Sequence, residues 1–500
     1  MNNTEARASL QGLGCPVPCS SGRNALASVI LVAALAILPA ITPALARGGD
    51  KFTTIFDFVP YGPSGDQPSG LLVQDRRETM YGETGDSIYA ITPRGDETVV
   101  ADLGLGADCS TGMTLGTDGL LYGTCEIWDG NQSSSGIIFQ LSPKKKSFNI
   151  IYSFPSYDAA DSELPSALTL GPDGNFYGTT RADNANEGTV FKVTPSGAFT
   201  TLHVFQGSLQ NDGAYPSAVG DGYDVNPIPL IVGSDGNLYG TTDQGGNNGF
   251  NNGTLYQITT SGVLTIVYNF AQGLSPFAGV TQVNGNFFGQ TAIGGPSNYG
   301  TIYRLTPDGT YTTLHNFSAA DDAATPDFLL TLGPDGNLYD ASSAYAGGGY
   351  GPESLYEITP SGTYTDVFNG FGTAGSCNQV QAGCVLTSGL YLHTNGRFYG
   401  VTGQGGNADL GVVYSLKLPR TASFVRPLLP AARAGQWLGI LGEGFSKATA
   451  VSFDGKPATF RVLEDTYLEA RVPLDAGKGR IIVKTRSREL RSNIDFSPLH

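Results

Sequence analysis

Apolar and polar residues alternate in short runs along most of this chain, and Gly-containing turns separate the runs. Gly188–Thr194 is a clear case: Val190 and Phe191 fall on opposite sides, as do Lys192 and Val193. A period of two marks strand, not helix. Around it the pattern predicts three more strands: Ala167–Leu170, Asn175–Thr180 and Ala198–Phe205. Asp173-Gly174 joins the first two, because Asx-Gly accepts the positive φ of a tight hairpin turn. Pro195-Ser196-Gly197 joins the last two. The unit is therefore two hairpins, with strands a, b, c and d.

The unit repeats. Gly171-Pro172-Asp173-Gly174-Asn175-Phe176-Tyr177-Gly178-Thr179-Thr180 returns as Gly233-Ser234-Asp235-Gly236-Asn237-Leu238-Tyr239-Gly240-Thr241-Thr242. Further copies centre on Tyr81-Gly82, Tyr122-Gly123, Phe288-Gly289, Tyr339-Asp340 and Tyr399-Gly400. Seven copies spaced by 41, 55, 62, 49, 51 and 60 residues, each of four short strands, predict an all-β, seven-bladed β-propeller. The last copy stops after strand c, at Gly411–Leu416. The orphan Phe52–Phe58 matches the strand d sequences Phe199–Phe205 and Tyr311–Phe317. The N-terminal strand is thus expected to complete the seventh blade and remove an open edge.

These motifs resemble the Gloeobacter/Verrucomicrobia (GloVer-type) tandem repeat of exported bacterial proteins. The likeness spans about Phe52 to Leu418, with Asp340 standing where Gly is expected. It implies a propeller and export, and it implies no activity.

Beyond Lys417-Leu418-Pro419 the repeats end. Pro427–Pro430 reads as a linker. Strands are expected at Gly435–Gly442, Ala450–Phe453, Ala458–Leu463, Tyr467–Val472 and Gly479–Thr485, a spacing that suggests a β-sandwich. Gly442-Glu443-Gly444-Phe445, Val451–Ala458 and Leu468–Pro473 resemble the IPT/TIG immunoglobulin-like family. The expected division is 1–46 signal peptide, 47–419 propeller and 420–500 immunoglobulin-like domain.

Composition adds the compartment. Arg23, the apolar run Ala25–Ala40 and Ala44-Leu45-Ala46 have the order of an export signal, cleaved after Ala46 or kept as an anchor. No second segment is apolar enough to span a membrane, and a secreted, periplasmic or cell-surface monomer is expected. The rest holds Cys109, Cys125, Cys377 and Cys384. Two local bridges, Cys109–Cys125 and Cys377–Cys384, are the favoured reading, with four free thiols the alternative. From Arg420 onward 13 Lys+Arg stand against 8 Asp+Glu, whereas 47–419 carries a net charge of −22. So acidic a propeller repels phosphates, and nucleic acid is not an expected partner. The basic row Lys484, Arg486, Arg488 and Arg491 reads as a solvated strand face, with a dock for an anionic surface or for the acidic propeller as the alternative.

Candidate chemistry lies in the b–c and d–a loops, which are long and variable where the Asp-Gly and Pro-x-Gly turns are short. Length and polarity thus gather on one face. The candidate binding residues are Trp128 and Asp129 (beside Glu126), Arg181 and Asp183, Asp243, Gln244 and Asn247, and Gln404 and Asn407. Asp221, Tyr223 and Asp224 join them from an insertion. Trp and Tyr beside carboxylates and amides suit a glycan or a protein partner, and ordinary solvated loop is the alternative. The repeated Asp of Asp-Gly reads as a turn former and not a calcium ligand. The Gly-Gly pairs lack the helix and Lys of a phosphate loop. His203 and His315 read as structural, and the repeated Tyr as packing between blades. No cofactor or metal is implied. The sequence therefore points to non-catalytic recognition. A lyase, lactonase or glycosidase-like propeller enzyme using Asp108, Asp327 or Asp221–Asp224, with or without a divalent metal, is the alternative.

Overall fold

The computed structural model describes residues 51–499, apart from 61, 63–64, 66, 105–106, 129–133, 156–164, 181–186, 208–210, 217–228, 248–251, 272–273, 277, 319–325, 327, 343–352, 372–379, 381 and 420. Within them the chain is all-β, and its one helical segment is the 3-10 turn Phe445–Lys447. Nine sheets form among the described residues, seven of them within the repeats.

The third sheet shows the plan: strand a is Thr169–Leu170, b Phe176–Thr180, c Thr189–Val193 and d Phe199–Val204, in spatial order and all antiparallel. Three local devices follow from the repeated phrase. The first is a turn lock. Asp173 Oδ1 accepts the Asn175 amide at 3.2 Å, and its Oδ2 accepts the Tyr177 hydroxyl at 2.8 Å. Asp118, Asp235 and Asp335 hold Tyr122, Tyr239 and Tyr339 in the same way. The Asp is a turn former, as the sequence indicates. Burial pushes these phenols up, and the Asp bond adds to the shift.

The second device explains the Gly after Tyr. Gly178 pairs with Phe191 across strands b and c, and a Cβ on Gly178 would lie 2.5 Å from that ring. Gly82, Gly123, Gly240, Gly289 and Gly400 sit likewise under Tyr89, Phe139, Tyr256, Tyr303 and Tyr414. The third device is a bulge. The d–c register slips once in each of the seven sheets, skipping Ile55, Val100, Ile151, Leu202, Val267, Leu314 and Val367 in the ladder. A bulge twists an outer strand away from edge-to-edge pairing.

The seventh sheet joins the two ends of the repeat region. Its outer strand is Lys51–Asp57, antiparallel to Val412–Lys417, with Phe52 opposite Leu416 and Asp57 opposite Val412. The N-terminal segment is therefore the missing strand d. The innermost strands also adjoin in cyclic order, and Thr387 Oγ1 returns the circuit to Pro68 O at 2.6 Å. The result is a propeller-like ring.

After the ring, Arg426–Pro427, Trp437–Leu441, Tyr467–Arg471 and Phe460–Glu464 make one sheet. Ala431–Arg433, Glu489–Leu499, Gly479–Thr485, Ala448–Phe453 and Lys456–Ala458 make the other. Apolar residues from both, such as Ile440, Leu468, Val451 and Phe496, form the core between them. One expectation is corrected. Pro427 lies in a strand paired with Ile440, so Pro427–Pro430 is not a free linker; Pro at an edge strand lacks only an N–H that such a position does not need.

Candidate functional site

Strand a lies nearest the axis of the ring. Its repeated Thr does not present a free hydroxyl to that axis. Thr114 donates to Leu168 O at 2.5 Å, Thr169 to Leu230 O at 2.5 Å, Thr281 to Leu330 O at 2.5 Å and Thr331 to Leu390 O at 2.6 Å. Each bond ties one innermost strand to the next. With Val73, Ile231 and Tyr391 at the corresponding positions, the described part of this wall is neutral, and it is half-buried except at the buried Val73.

One end of the ring is covered. The C-terminal unit packs on the face that carries the a–b turns. At the first sheet the Arg76 guanidinium lies 4.1 Å over the Tyr467 ring, Thr466 Oγ1 donates to Arg76 O, and Arg77 pairs with Glu464 at 3.4 Å. At the seventh, Arg426 donates to Leu392 O and lies over Tyr391. At the sixth, Asn493 Nδ2 donates to Leu332 O at 3.0 Å. At the fourth, Leu499 abuts Gly236. The contacts fall on opposite sides of the ring, so the unit lies across its axis. The basic row does not make this dock. Lys484 and Arg491 pair with Glu489, and Arg488 with Glu443, all inside the same unit.

The sequence-selected residues fare differently. Asp129, Arg181, Asp183, Asp221, Tyr223, Asp224, Asp327 and Cys377 lie outside the described residues. Trp128 and Gln404 are not in loops. Strand b runs on to Trp128 in the second sheet and to Gln404 in the seventh, because extra short strands, Ala107–Asp108 and Cys384–Leu386, extend those sheets. The Cys109–Cys125 disulfide staples the first extension, and Cys384 is also disulfide-bonded. Asp243 accepts the Ser275 hydroxyl, and burial pushes its carboxyl up. Gln244 pairs with Ala214 through its backbone. Asn247 donates its amide to Asn269 Oδ1 at 2.9 Å, and Asn407 donates to Asp57. His203 pairs with Asp212 at 2.9 Å, and His315 stacks on Tyr364 with centroids 4.0 Å apart.

Several buried polar residues escaped the sequence reading. They are departures of the repeat from itself, a signal visible without any second sequence. Glu83, at the place of Thr179, accepts the Gly112 amide at 2.7 Å. Gln290, at the same place, donates to Asp340 Oδ2 and to Phe328 O, both at 2.6 Å, and accepts the Tyr356 hydroxyl. Glu353 replaces the Gly before strand c and accepts the Leu386 amide at 3.3 Å. His393, at the place of Gly171, is buried. Its Nδ1 accepts the Asn395 amide at 3.1 Å, which leaves Nε2–H to donate to Glu78 O at 3.1 Å. Burial, with Arg426 nearby, pulls its pKa down to about 4 and keeps it neutral. Among the described residues no cluster of three or more His, Cys, Asp or Glu has the geometry to hold a metal, and no helix is long and apolar enough to cross a membrane.

The sequence family described as Gloeobacter/Verrucomicrobia repeat matches residues 44–224, 110–352 and 225–428. No curated protein matches the chain. Among solved structures, a streptogramin B lyase aligns over 75% of this chain and 100% of its own, at 15% identity and a TM-score of 0.47. An oligogalacturonate lyase from Vibrio parahaemolyticus aligns over 74% and 98%, at 10% identity and a TM-score of 0.45. A gluconolactonase from Xanthomonas campestris aligns over 75% and 91%, at 13% identity and a TM-score of 0.38.

Proposed function

This chain belongs to the Gloeobacter/Verrucomicrobia repeat family, and from that premise we propose that it is an exported, non-catalytic recognition protein. Its seven repeat sheets are the blades of one β-propeller, closed by the N-terminal strand after cleavage behind Ala46. The C-terminal unit is an immunoglobulin-like sandwich of IPT/TIG type. The ligand is a glycan or a protein, held on the face of the b–c and d–a loops. The bonded cysteines Cys109, Cys125 and Cys384 fit an oxidising compartment.

One observation carries the reading: the C-terminal unit reaches the first, fourth, sixth and seventh sheets and covers the turn face. The long polar loops of the opposite face are then the surface left for a partner. The test is a glycan and peptide array probed with the mature chain, followed by titration of any hit against Trp128→Ala and Tyr223→Ala. Aromatic contacts dominate such surfaces, so each change should weaken binding by about tenfold or more. A hit that both variants bind as tightly as the parent would remove the loop face from consideration.

A further inference from the structure

Seven similar sheets must assemble in one order, although each presents nearly the same apolar faces to its neighbours. Mispairing of repeats is a characteristic failure of such chains. The seams are not all alike. Strand a of each sheet carries one position, buried except at Val232 and Gln282 where it is half-buried, that reaches toward the a–b turn of the sheet before it. That position is Leu115, Leu170, Val232, Leu332 and Leu392 in five sheets, but Gln74 in the first and Gln282 in the fifth.

At four of the seven seams the preceding turn matches the choice. Gln282 faces the fourth sheet, and its Oε1 accepts the Ser234 amide at 2.8 Å. Gln74 faces the seventh, where Oε1 accepts the Thr394 amide at 3.2 Å and Nε2 donates to Thr394 Oγ1 at 2.8 Å. Gln74 and Thr394 are both fully buried. Val232 and Leu392 instead follow turns in which the same place is Pro172 and Pro334. Proline has no N–H to donate, so an amide there would be left without that partner. At the second turn Thr117 faces Leu170, and its carbonyl takes the Arg76 guanidinium. A further matched departure lies between the fifth and sixth sheets, where Gln290 meets Asp340 in place of the usual Thr and Gly.

We propose that Gln74 with Thr394, Gln282 with Ser234, and Gln290 with Asp340 are seam-specific polar keys that make each of these sheets accept only its own neighbour. A buried polar pair adds little stability over an apolar pair of similar shape, yet a wrong partner leaves it unsatisfied. The keys are therefore tools of order. The Gln74 key sits where it is needed most, at the seam that unites the two ends of the ring.

The test uses the full mature chain. Ser234→Pro alone should lower Tm, because it removes the N–H that the half-buried Gln282 Oε1 accepts. Adding Gln282→Val should bring Tm back to within a few degrees of the parent. A second double variant, Gln74→Leu with Thr394→Pro, is combined with the first so that the two seams keyed at the turn resemble the Pro–Val and Pro–Leu seams. The combined variant should keep its Tm once folded, but the yield of monomer after dilution from denaturant should drop at least threefold, with the loss appearing as soluble oligomer or aggregate. Losses of Tm in Ser234→Pro and Gln282→Val that simply add would overturn the pairing. An unchanged monomer yield in the combined variant would overturn the role in ordering.

Discussion

Phe52 lies flat on Phe368, with ring centroids 4.1 Å apart and planes 4° from parallel. One ring comes from the first described strand of the chain and the other from the outer strand of the sixth sheet. The same outer-strand stack recurs as Tyr152 on Phe199 and His315 on Tyr364. The N-terminal strand therefore joins the ring both by its ladder to Val412–Lys417 and by a ring stack to the neighbouring sheet.

Removal of this strand should cost the ring its closure. A chain beginning near Tyr61 is expected to aggregate or to exchange strands between copies, read by size-exclusion chromatography. Phe52→Ala keeps the ladder and loses the ring contacts with Phe368, Phe371 and Tyr414, so it should cost about 2–3 kcal/mol in urea titration. A truncated chain that stays monomeric with unchanged melting would contradict the closure.

Two glycines of one repeat should respond differently to alanine. Gly174 has φ +80° and nothing within 4 Å of a built Cβ, so only backbone strain opposes the change, at about 1 kcal/mol. Gly178 has the Phe191 ring 2.5 Å from that Cβ, and the ring has nowhere to move in a packed seam. Gly178→Ala should cost about 3 kcal/mol or more. Equal losses would show that the ring crossing does not set the residue at 178.

The pH response should carry the mark of His393. Its folded pKa is about 4, below the ordinary value of 6.5. The unfolded chain thus binds the proton first. Its contribution is complete above pH 6.5 and falls away as the pH drops toward 4, by about 3 kcal/mol at most. His393→Gln retains a donor for Glu78 O without the titration. Stability measured from pH 7.5 to 4.5 should fall less steeply for this variant, and identical slopes would assign the acid sensitivity elsewhere.

Reduction of the Cys109–Cys125 bridge should destabilise the second sheet by about 3 kcal/mol. Hydrogen exchange is expected to rise first in Ala107–Asp108 and at the distal end of Leu121–Trp128, which the bridge holds together. Uniform exchange across all sheets on reduction would speak against a local staple.

Whatever is local and repeated was legible in the chain's residues alone. Asp173, Gly174 and Tyr177 set a turn within five consecutive positions, and alternation set the strands. The match of Phe52–Phe58 to other outer strands foretold the partner of the N-terminus. Cys109 and Cys125 were legible because they flank one hairpin. The tertiary structure decided what depends on residues far apart. That Trp128 and Gln404 extend strands follows from short strands pairing beside them, which no local pattern announces. That the C-terminal unit docks through Arg76, Arg426 and Asn493, and not through its basic row, depends on which carbonyls and rings the turn face offers. Asp340 reads in sequence as a departure from the repeat, and Gln74, Gln290 and His393 escape that reading. Their meaning is the partner across a seam, and a partner is fixed only when the ring closes.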